Sequence, residues 1–286
     1  MIIWLASYPK SGNTWIRSFL TSLLFSKDGE SDLSKIKQIS QYPLREHFRS
    51  LVNNIDDINQ LSENWIASQD LLNLDNKIKF IKTHHVNCNI KGNSFTNYDN
   101  TFGVIYIVRD PRNVITSVMN HFSKKDYSQA KEFIFDEHKI IGRNLDDNTK
   151  KKFENHEILT FISSWKTNYI SWKSITKNFL LIKYENLISD PKKEFKKIIN
   201  YLSEKLKLDF PEKKFLKSIE TNSFDNLKKQ EEKDGFFENP IDKITGEKKK
   251  FFHLGPNNNW KNLLDEKIAE EIQKKFENEM KELGYL

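Results

Sequence analysis

The residues best suited to chemistry in this 286-residue chain lie in a short polar run close to its start. Residues 8–15 (YPKSGNTW) follow the apolar residues 2–6 and precede apolar positions at helical spacing. A loop between a buried strand and a helix aims backbone N–H groups at one point, which suits a phosphate group. Gly12 lets the backbone approach a ligand closely, and Lys10 adds a mobile positive charge. The run therefore predicts a phosphate-binding loop.

This loop differs from that of nucleotide triphosphatases, G-x-x-x-x-G-K-[ST]. Gly12 and Thr14 align with the last glycine and the hydroxyl residue of that pattern. Asn13 then stands at its lysine and Ser7 at its first glycine, while the positive charge has moved to Lys10. A P-loop nucleotide kinase or triphosphatase, which would bind ATP with magnesium, is an alternative that Asn13 disfavours.

Residues 8–15 resemble the 5′-phosphosulfate-binding loop of the cytosolic-type sulfotransferase family, whose pattern is Y-P-K-S-G-T-T-W. A single residue, Asn13, departs from that pattern. The resemblance implies that the loop holds the 5′ end of 3′-phosphoadenosine-5′-phosphosulfate (PAPS). The residues implied in binding are Lys10, Ser11, Gly12, Asn13 and Thr14, with Trp15 packed on the adenine.

A second segment agrees with this resemblance. The apolar run at residues 102–108 (FGVIYIV) predicts a buried strand, which Arg109 follows, and Ser117 lies on the next predicted helix. A guanidinium offers a planar fork to phosphate oxygens, and a nearby hydroxyl adds another donor. The family uses these two positions for the 3′-phosphate, so the resemblance implies that role for Arg109 and Ser117.

Residues 82–85 (KTHH) resemble the K-T-H segment that carries the general base of the family. Residues two apart on a strand point the same way, so Lys82 and His84 are expected to share a face if the strand continues. A neutral imidazole takes up a proton near neutral pH. The resemblance implies His84 as the base, with His85 as the alternative. It also implies that Lys82 neutralises sulfuryl oxygens and that Lys10 stabilises charge on the bridging oxygen.

Two later positions resemble those that hold the nucleoside in the family. Tyr184 stands where the family has a tyrosine near the base. Asn222 and Phe224 belong to an N-S-F run similar to a T-S-F segment whose phenylalanine stacks on adenine. The resemblance therefore implies cofactor binding by Tyr184, Asn222 and Phe224.

The weakest match is to the family segment R-K-G-x-x-G-D-W-K-N, which folds over the 3′-phosphate. Gly255 and residues 260–262 (WKN) match it, and Gly255 is implied in cofactor binding. His253 and Leu254 stand in place of its two basic residues. Either the 3′-phosphate is bound with fewer charges here, or lysines among residues 248–250 substitute for the missing pair.

Strands that alternate with helices must position these segments. Apolar runs predict strands at residues 2–6, 79–83, 102–108 and 179–182, and helical spacing predicts helices that include residues 158–172 and 268–280. This alternation predicts an α/β fold with a central parallel sheet flanked by helices, in a single domain covering residues 1–286. Ligands of such sheets bind beyond the carboxyl ends of the strands. The polar stretches 27–64 and 231–250 are expected to be irregular, lid-like segments over that edge.

Composition sets wider limits. The chain has 46 Lys and Arg against 40 Asp and Glu, a net charge of +6 that favours anionic ligands without identifying one. Cys88 is the only cysteine, which excludes an internal disulfide and a cysteine-rich metal site. No apolar run approaches the roughly 20 residues of a membrane-spanning helix. We expect a cytoplasmic protein.

The prediction is a sulfotransferase that moves a sulfuryl group from PAPS to the hydroxyl of an acceptor, without a metal ion. A glycan, a lipid, a phenol or a small natural product would serve as acceptor. A non-enzymatic binder of nucleic acid or of another anion is the remaining alternative, and it would show a steep dependence on salt. We expect no nucleic-acid partner.

Overall fold

The computed structural model describes residues 1–142, 158–175, 177–242 and 245–286. The strands are β1 Ile2–Ser7, β2 Lys79–Thr83, β3 Asn89–Ile90, β4 Asn93–Ser94, β5 Thr101–Val108, β6 Ile140–Ile141, β7 Thr160–Phe161 and β8 Phe179–Lys183. The first helices are α1 Asn13–Phe25, α2 Ile58–Glu63, α3 Trp65–Asn73, α4 Pro111–His121, α5 Tyr127–Phe135 and α6 Trp165–Lys173. The later helices are α7 Tyr184–Ser189, α8 Pro191–Leu206, α9 Glu212–Thr221, α10 Phe224–Asp234, α11 Trp260–Leu263, α12 Glu266–Lys275 and α13 Glu277–Glu282. Short 3-10 helices cover Leu33–Gln38, Arg45–His47 and Gly255–Asn257. None of the helices in the described ranges is long and apolar enough to cross a membrane.

Four of the strands form one sheet in the order β2-β1-β5-β8. β1 and β2 pair in parallel, from Ile2 opposite Lys79 to Ala6 opposite Thr83. All of β1 is buried, as expected where a parallel sheet is covered on both faces and needs apolar side chains on both sides. The predicted α/β fold with a central parallel sheet flanked by helices is confirmed.

The described residues cluster into two compact units. Unit 1 comprises Met1–Tyr8, Ser40–Tyr106 and Asp136–Phe179, and unit 2 comprises Pro9–Ile39, Ile107–Phe135 and Leu180–Leu286. Each unit takes residues from several separate stretches of the chain, so neither corresponds to one continuous segment. The single domain expected over residues 1–286 stays a prediction.

Aromatic side chains form the core of unit 1. The Trp4 ring lies 5.7 Å from those of Tyr42 and Phe95 and 5.8 Å from that of Trp172, between ring centroids. The buried Trp4 Nε1 donates to Thr101 Oγ1 at 3.0 Å, which satisfies its one polar group. These contacts tie β1, the start of β5 and α6 together.

Cys88 also belongs to unit 1, just before β3. Its side chain is partly buried. Burial disfavours the thiolate and raises the pKa of the Cys88 thiol to about 11. The thiol is therefore almost fully protonated near neutral pH.

Unit 2 has a separate apolar cluster. Its buried members are Leu33, Ile36, Leu227, Phe236 and Phe252, and Trp15, Phe224 and Phe251 pack against it. The cluster joins residues of α1, of the 3-10 helix Leu33–Gln38, of α10 and of the segment that follows α10. The predicted lid therefore rests on the same apolar residues as the start of α1. Residues 243 and 244 of that lid lie outside the described residues.

Two predicted helices differ from the observed ones. The first, predicted over residues 158–172, begins only at Trp165, because Ser164 caps α6 by accepting a hydrogen bond from the Thr167 backbone N–H. Residues 160 and 161 instead form β7, which pairs with β6. The second, predicted over residues 268–280, is divided between α12 and α13 at Phe276.

Candidate active site

The phosphate loop connects β1 to α1 and contains two residues with positive φ. Lys10 has a φ of 68° and Gly12 a φ of 102°. Gly12 is the N-cap of α1, and no side chain among the described residues caps this helix end. The backbone N–H groups of Trp15 and Ile16 donate to the Gly12 carbonyl oxygen, at 3.0 Å and 3.4 Å. The start of a helix, with its N–H groups directed outward, is a common site for an anion. A Cβ added at Gly12 would lie 2.4 Å from Tyr184 Cδ2, so the loop packs directly on Tyr184 and needs glycine here.

Arg109 joins the loop to α4. Its Nη1 donates to the Lys10 carbonyl oxygen at 3.2 Å and to Ser117 Oγ at 3.4 Å. Its guanidinium lies 4.1 Å above the Tyr184 ring, within the range of a cation–π interaction. The structure thus brings together four predicted cofactor-binding residues, Lys10, Arg109, Ser117 and Tyr184.

Lys10 has two neighbours that sequence reasoning missed. Its Nζ lies 3.4 Å from His121 Nδ1 and 4.0 Å from the centroid of the Phe251 ring. His121 is the last residue of α4, four positions after Ser117, so helical spacing places both on one face. That spacing is the signal that would have identified His121. Phe251 has no comparable signal, since it lies far from Lys10 in the sequence.

The aromatic residues predicted near adenine are all in unit 2. The Trp15 ring meets the rings of Tyr184 and Phe195 edge-on, with centroids 5.9 Å and 5.8 Å apart. Phe224 opens α10, and a Cβ added at Gly255 would lie 2.3 Å from its Cζ. The Phe224 ring therefore lies against the Gly255 backbone.

The side chain of Asn222 is hydrogen-bonded to other residues of the protein. It is fully buried, and its Nδ2 donates to Ser22 Oγ at 2.8 Å and to the Ser218 carbonyl oxygen at 2.7 Å. Its Oδ1 accepts from Ser31 Oγ at 3.0 Å. Both side-chain N–H groups are used, so Asn222 links α1 to α9 and has no N–H left to offer a nucleotide.

The segment after Gly255 is tied to α4. The Trp260 backbone N–H donates to Asn113 Oδ1 at 2.9 Å, and the Arg112 guanidinium lies 4.1 Å above the Trp260 ring. Of the lysines considered as substitutes for the missing basic pair, Lys249 contacts Asp242 at 2.6 Å and Lys250 contacts Glu232 at 2.8 Å. Both ammonium groups already have a carboxylate partner.

The segment predicted to carry the base belongs to unit 1. β2 ends at Thr83, so the alternation of side chains along a strand does not extend to His84. His84 Nδ1 lies 2.9 Å from the Ser7 carbonyl oxygen and 3.2 Å from Ser7 Oγ. A carbonyl only accepts, so Nδ1 carries the proton and Nε2 is the basic nitrogen of the neutral ring. Lys82 is buried at the end of β2.

His85 lies in a different environment from His84. It is fully buried and stacks on Phe95, with ring centroids 4.1 Å apart. Its Nδ1 donates to the Val86 carbonyl oxygen at 2.7 Å. Burial disfavours the imidazolium and lowers the pKa of His85 to about 3. A neutral ring without exposed surface cannot meet an acceptor, whereas His84 is partly exposed.

A buried ion pair lies beside the phosphate loop. Arg17 Nη1 donates to Glu238 Oε1 at 2.6 Å, and Arg17 Nη2 donates to the carbonyl oxygens of Ile36 and Ile39. Glu238 Oε2 also accepts from Thr14 Oγ1 at 3.4 Å. A carboxylate thus contacts a loop hydroxyl that was predicted to bind a phosphate.

The loop has the chemistry that an anionic nucleotide requires. Ser11 Oγ and Trp15 Nε1 are buried without a hydrogen-bond partner among the described residues. Buried polar groups are normally paired, and a ligand that hydrogen-bonds these two atoms would satisfy them. Lys10 and Arg109 supply positive charge next to them. The residues present therefore suit a nucleotide with phosphate groups.

Comparisons with known proteins agree with this geometry. Residues 2–284 match the sulfotransferase domain family. The chain is 24% identical to a 3-beta-hydroxysteroid sulfotransferase of Cavia porcellus, over 96% of this chain and 82% of the relative. It is 23% identical to a flavonol 3-sulfotransferase of Flaveria bidentis, over 99% of this chain and 82% of the relative.

Solved structures show the same fold. A mouse sulfotransferase complexed with PAP superposes with a TM-score of 0.61 at 21% identity, over 98% of this chain and 84% of the other. A retinol dehydratase in complex with androsterone and the inactive cofactor PAP gives a TM-score of 0.57 at 16% identity, over 98% and 80%. The family match spans nearly the whole chain, and the chain belongs to the sulfotransferase domain family and is a sulfotransferase.

Proposed function

We propose that this sulfotransferase uses PAPS as its donor and transfers the sulfuryl group to a hydroxyl of its acceptor. The observation that carries the proposal is the position of Arg109. One guanidinium contacts the Lys10 carbonyl, the Ser117 hydroxyl and the Tyr184 ring. These residues come from the three segments in which the family binds the 5′ end, the 3′-phosphate and the base of the nucleotide.

The phosphate loop holds the 5′ end of the donor through the N–H groups at the start of α1 and through the side chains of residues 10–14. When bound, PAPS supplies the sulfuryl group and leaves as the bisphosphate. The Lys10 ammonium stabilises the negative charge that grows on the departing oxygen. Stabilisation of this kind is usually the largest catalytic contribution in a closed site. Trp15 and Phe224 enclose the adenine.

His84 is the general base. The Ser7 carbonyl accepts from Nδ1–H and fixes the tautomer, so Nε2 is free of a proton and takes one from the acceptor hydroxyl. The burial of His85 and its low pKa support the choice of His84 over His85. Lys82 stabilises the sulfuryl oxygens as an ammonium donor.

The acceptor carries a hydroxyl group. Two curated relatives are named for acceptors of this kind, a 3-beta-hydroxysteroid and a flavonol. A panel of sterols, flavonols and simple phenols is therefore the first choice for an assay. The lone Cys88 is compatible with a reducing compartment, and we propose a cytoplasmic reaction.

Two variants test the roles of base and cofactor ligand separately. We expect His84→Ala to lose turnover by at least about 100-fold, the scale of general-base catalysis, and to bind adenosine 3′,5′-bisphosphate within about twofold of wild type. We expect Arg109→Ala to weaken bisphosphate binding by roughly 10- to 100-fold, because a charge-assisted hydrogen bond and a stacked cation are lost. Calorimetry measures the binding, and transfer from radiolabelled PAPS measures the turnover.

The matched controls are His138→Ala and Arg45→Ala, both on exposed or partly exposed surface outside the site. Both are expected to behave as wild type. Full turnover in His84→Ala would show that His84 is not the general base. Tighter, magnesium-dependent binding of ATP than of bisphosphate would contradict the donor proposal and favour a kinase or triphosphatase.

A further inference from the structure

Asn258 stands at a position where the family segment R-K-G-x-x-G-D-W-K-N has glycine, and its side chain is directed into the structure. It is only 7% exposed. Its Nδ2 donates to the Asn113 carbonyl oxygen at 3.0 Å and to Ser117 Oγ at 3.2 Å. Its Oδ1 accepts from Thr116 Oγ1 at 2.6 Å. All three contacts are with one stretch of α4.

The chemistry of these partners fixes the orientation of the amide. The Asn113 carbonyl can only accept, so the Asn258 atom that faces it must be the nitrogen. Of the two hydrogens on that nitrogen, one goes to Asn113 and the other to Ser117 Oγ. Both hydrogens of the amide are therefore used. Its oxygen lies against the Thr116 hydroxyl, whose single hydrogen is shared with the Asn113 carbonyl oxygen at 2.8 Å.

The consequence concerns the proton of Ser117. Its Oγ accepts from Asn258 Nδ2 and from Arg109 Nη1. With two N–H donors on its lone pairs, the hydroxyl has only its own hydrogen left to offer. Among the residues that the structure describes, this hydrogen has no acceptor. The Ser117 O–H group is polarised by the two N–H groups that donate to its oxygen. It is therefore suited to donate to an anionic oxygen such as that of a phosphate.

We propose that Asn258 is a positioning residue for the 3′-phosphate of the nucleotide, acting through Ser117. The amide holds the Ser117 hydroxyl as a donor and thereby compensates for the basic pair that His253 and Leu254 have replaced. This inference rests on the proposed nucleotide site. It assigns to an uncharged side chain a part of the selectivity for a 3′-phosphorylated nucleotide.

The test compares adenosine 3′,5′-bisphosphate with adenosine 5′-monophosphate, which lacks the 3′-phosphate, by calorimetry. We expect Asn258→Ala to reduce the preference for the bisphosphate by about tenfold, the effect of one lost hydrogen bond to a charged network, and to leave the monophosphate affinity unchanged. Asn258→Asp should reduce it further, because a carboxylate would accept the Ser117 hydrogen and repel the phosphate. In a Ser117→Ala background, Asn258→Ala should have little additional effect.

The outcomes separate this inference from the proposed function. If wild type shows no preference for the bisphosphate, the nucleotide site itself is wrong. If wild type discriminates but Asn258→Ala and Asn258→Asp do so equally well, the role of Asn258 is refuted. Equal weakening of both nucleotides, or additive effects with Ser117→Ala, would also refute it and indicate a purely structural role. If Asn258→Ala does not fold, the isosteric Asn258→Asp decides.

Discussion

Replacing Glu238 is expected to destabilise the protein and at the same time to tighten nucleotide binding. Its carboxylate pairs with the buried Arg17 and also accepts from Thr14 Oγ1, a hydroxyl of the phosphate loop. A phosphate oxygen that binds the same hydroxyl would compete with this carboxylate and be repelled by it. The two roles of Glu238 therefore give effects of opposite sign.

The magnitudes follow from the contacts that remain. Removing one partner of a buried ion pair costs about 3–5 kcal/mol. Arg17 keeps its hydrogen bonds to the carbonyl oxygens of Ile36 and Ile39, so we expect a loss of about 2–3 kcal/mol in Glu238→Ala. With an unfolding entropy of about 2.1 cal/mol/K per residue, this lowers the Tm by about 4 °C. Relief of one like charge at short range is worth about 1.4 kcal/mol, which makes bisphosphate binding about tenfold tighter.

Calorimetric titration with bisphosphate and thermal unfolding of the same samples measure both effects. Glu238→Gln keeps an oxygen for Arg17 and removes the charge, so it should tighten binding with a smaller loss of stability. Glu232→Ala is the matched control, because this carboxylate pairs with the exposed Lys250 and should change neither quantity measurably. Weaker bisphosphate binding in both Glu238 variants would refute the reasoning.

Two further predictions concern His85 and Gly255. The low pKa of His85 means that the unfolded chain binds a proton that the folded one does not, between about pH 6.5 and about pH 3. The free energy of unfolding should therefore fall as the pH is lowered through this window, by up to about 1.4 kcal/mol per pH unit. Denaturant titrations at pH 7 and pH 5 measure it. The difference in unfolding free energy between the two pH values should be smaller in His85→Phe than in wild type. Gly255→Ala would bring a Cβ to 2.3 Å from the Phe224 ring and should weaken bisphosphate binding about tenfold. Gly246→Ala is the control, because Gly246 also has a positive φ but a Cβ added there would have no atom within 4 Å. This variant should bind bisphosphate as wild type does. Unchanged binding in Gly255→Ala would show that the Phe224 ring is not needed in its present position.

The strands of the sheet could be predicted because buried parallel strands appear as continuous apolar runs. β2 has the predicted bounds, and β1, β5 and β8 extend the predicted runs by one residue each. The helix predicted over residues 158–172 was wrong at its start, although its apolar spacing was helical. Ser163 has a φ of 57°, which interrupts the helical backbone, and β7 pairs with β6 instead. Pairing between distant segments is not contained in local periodicity.

The residues of the candidate site were predictable where they are close together in the sequence, as in the phosphate loop and in the pair Arg109 and Ser117. Contacts between distant segments were not predictable. His121 and Phe251 reach Lys10, and Glu238 reaches Thr14, only because the chain folds back over long separations. The replacement of the basic pair by His253 and Leu254 was visible in the sequence, but the role proposed for Asn258 depends on the donors and acceptors around its side chain.

The high pKa of the only thiol has a practical consequence for labelling. At pH 7.5, a pKa of about 11 leaves fewer than roughly one Cys88 side chain in a thousand as the reactive thiolate. An exposed cysteine introduced elsewhere, with an ordinary pKa, would be ionised over a hundred times more often and would react first with a maleimide dye. Fluorophores can therefore be attached at chosen positions in either unit without removing the native cysteine.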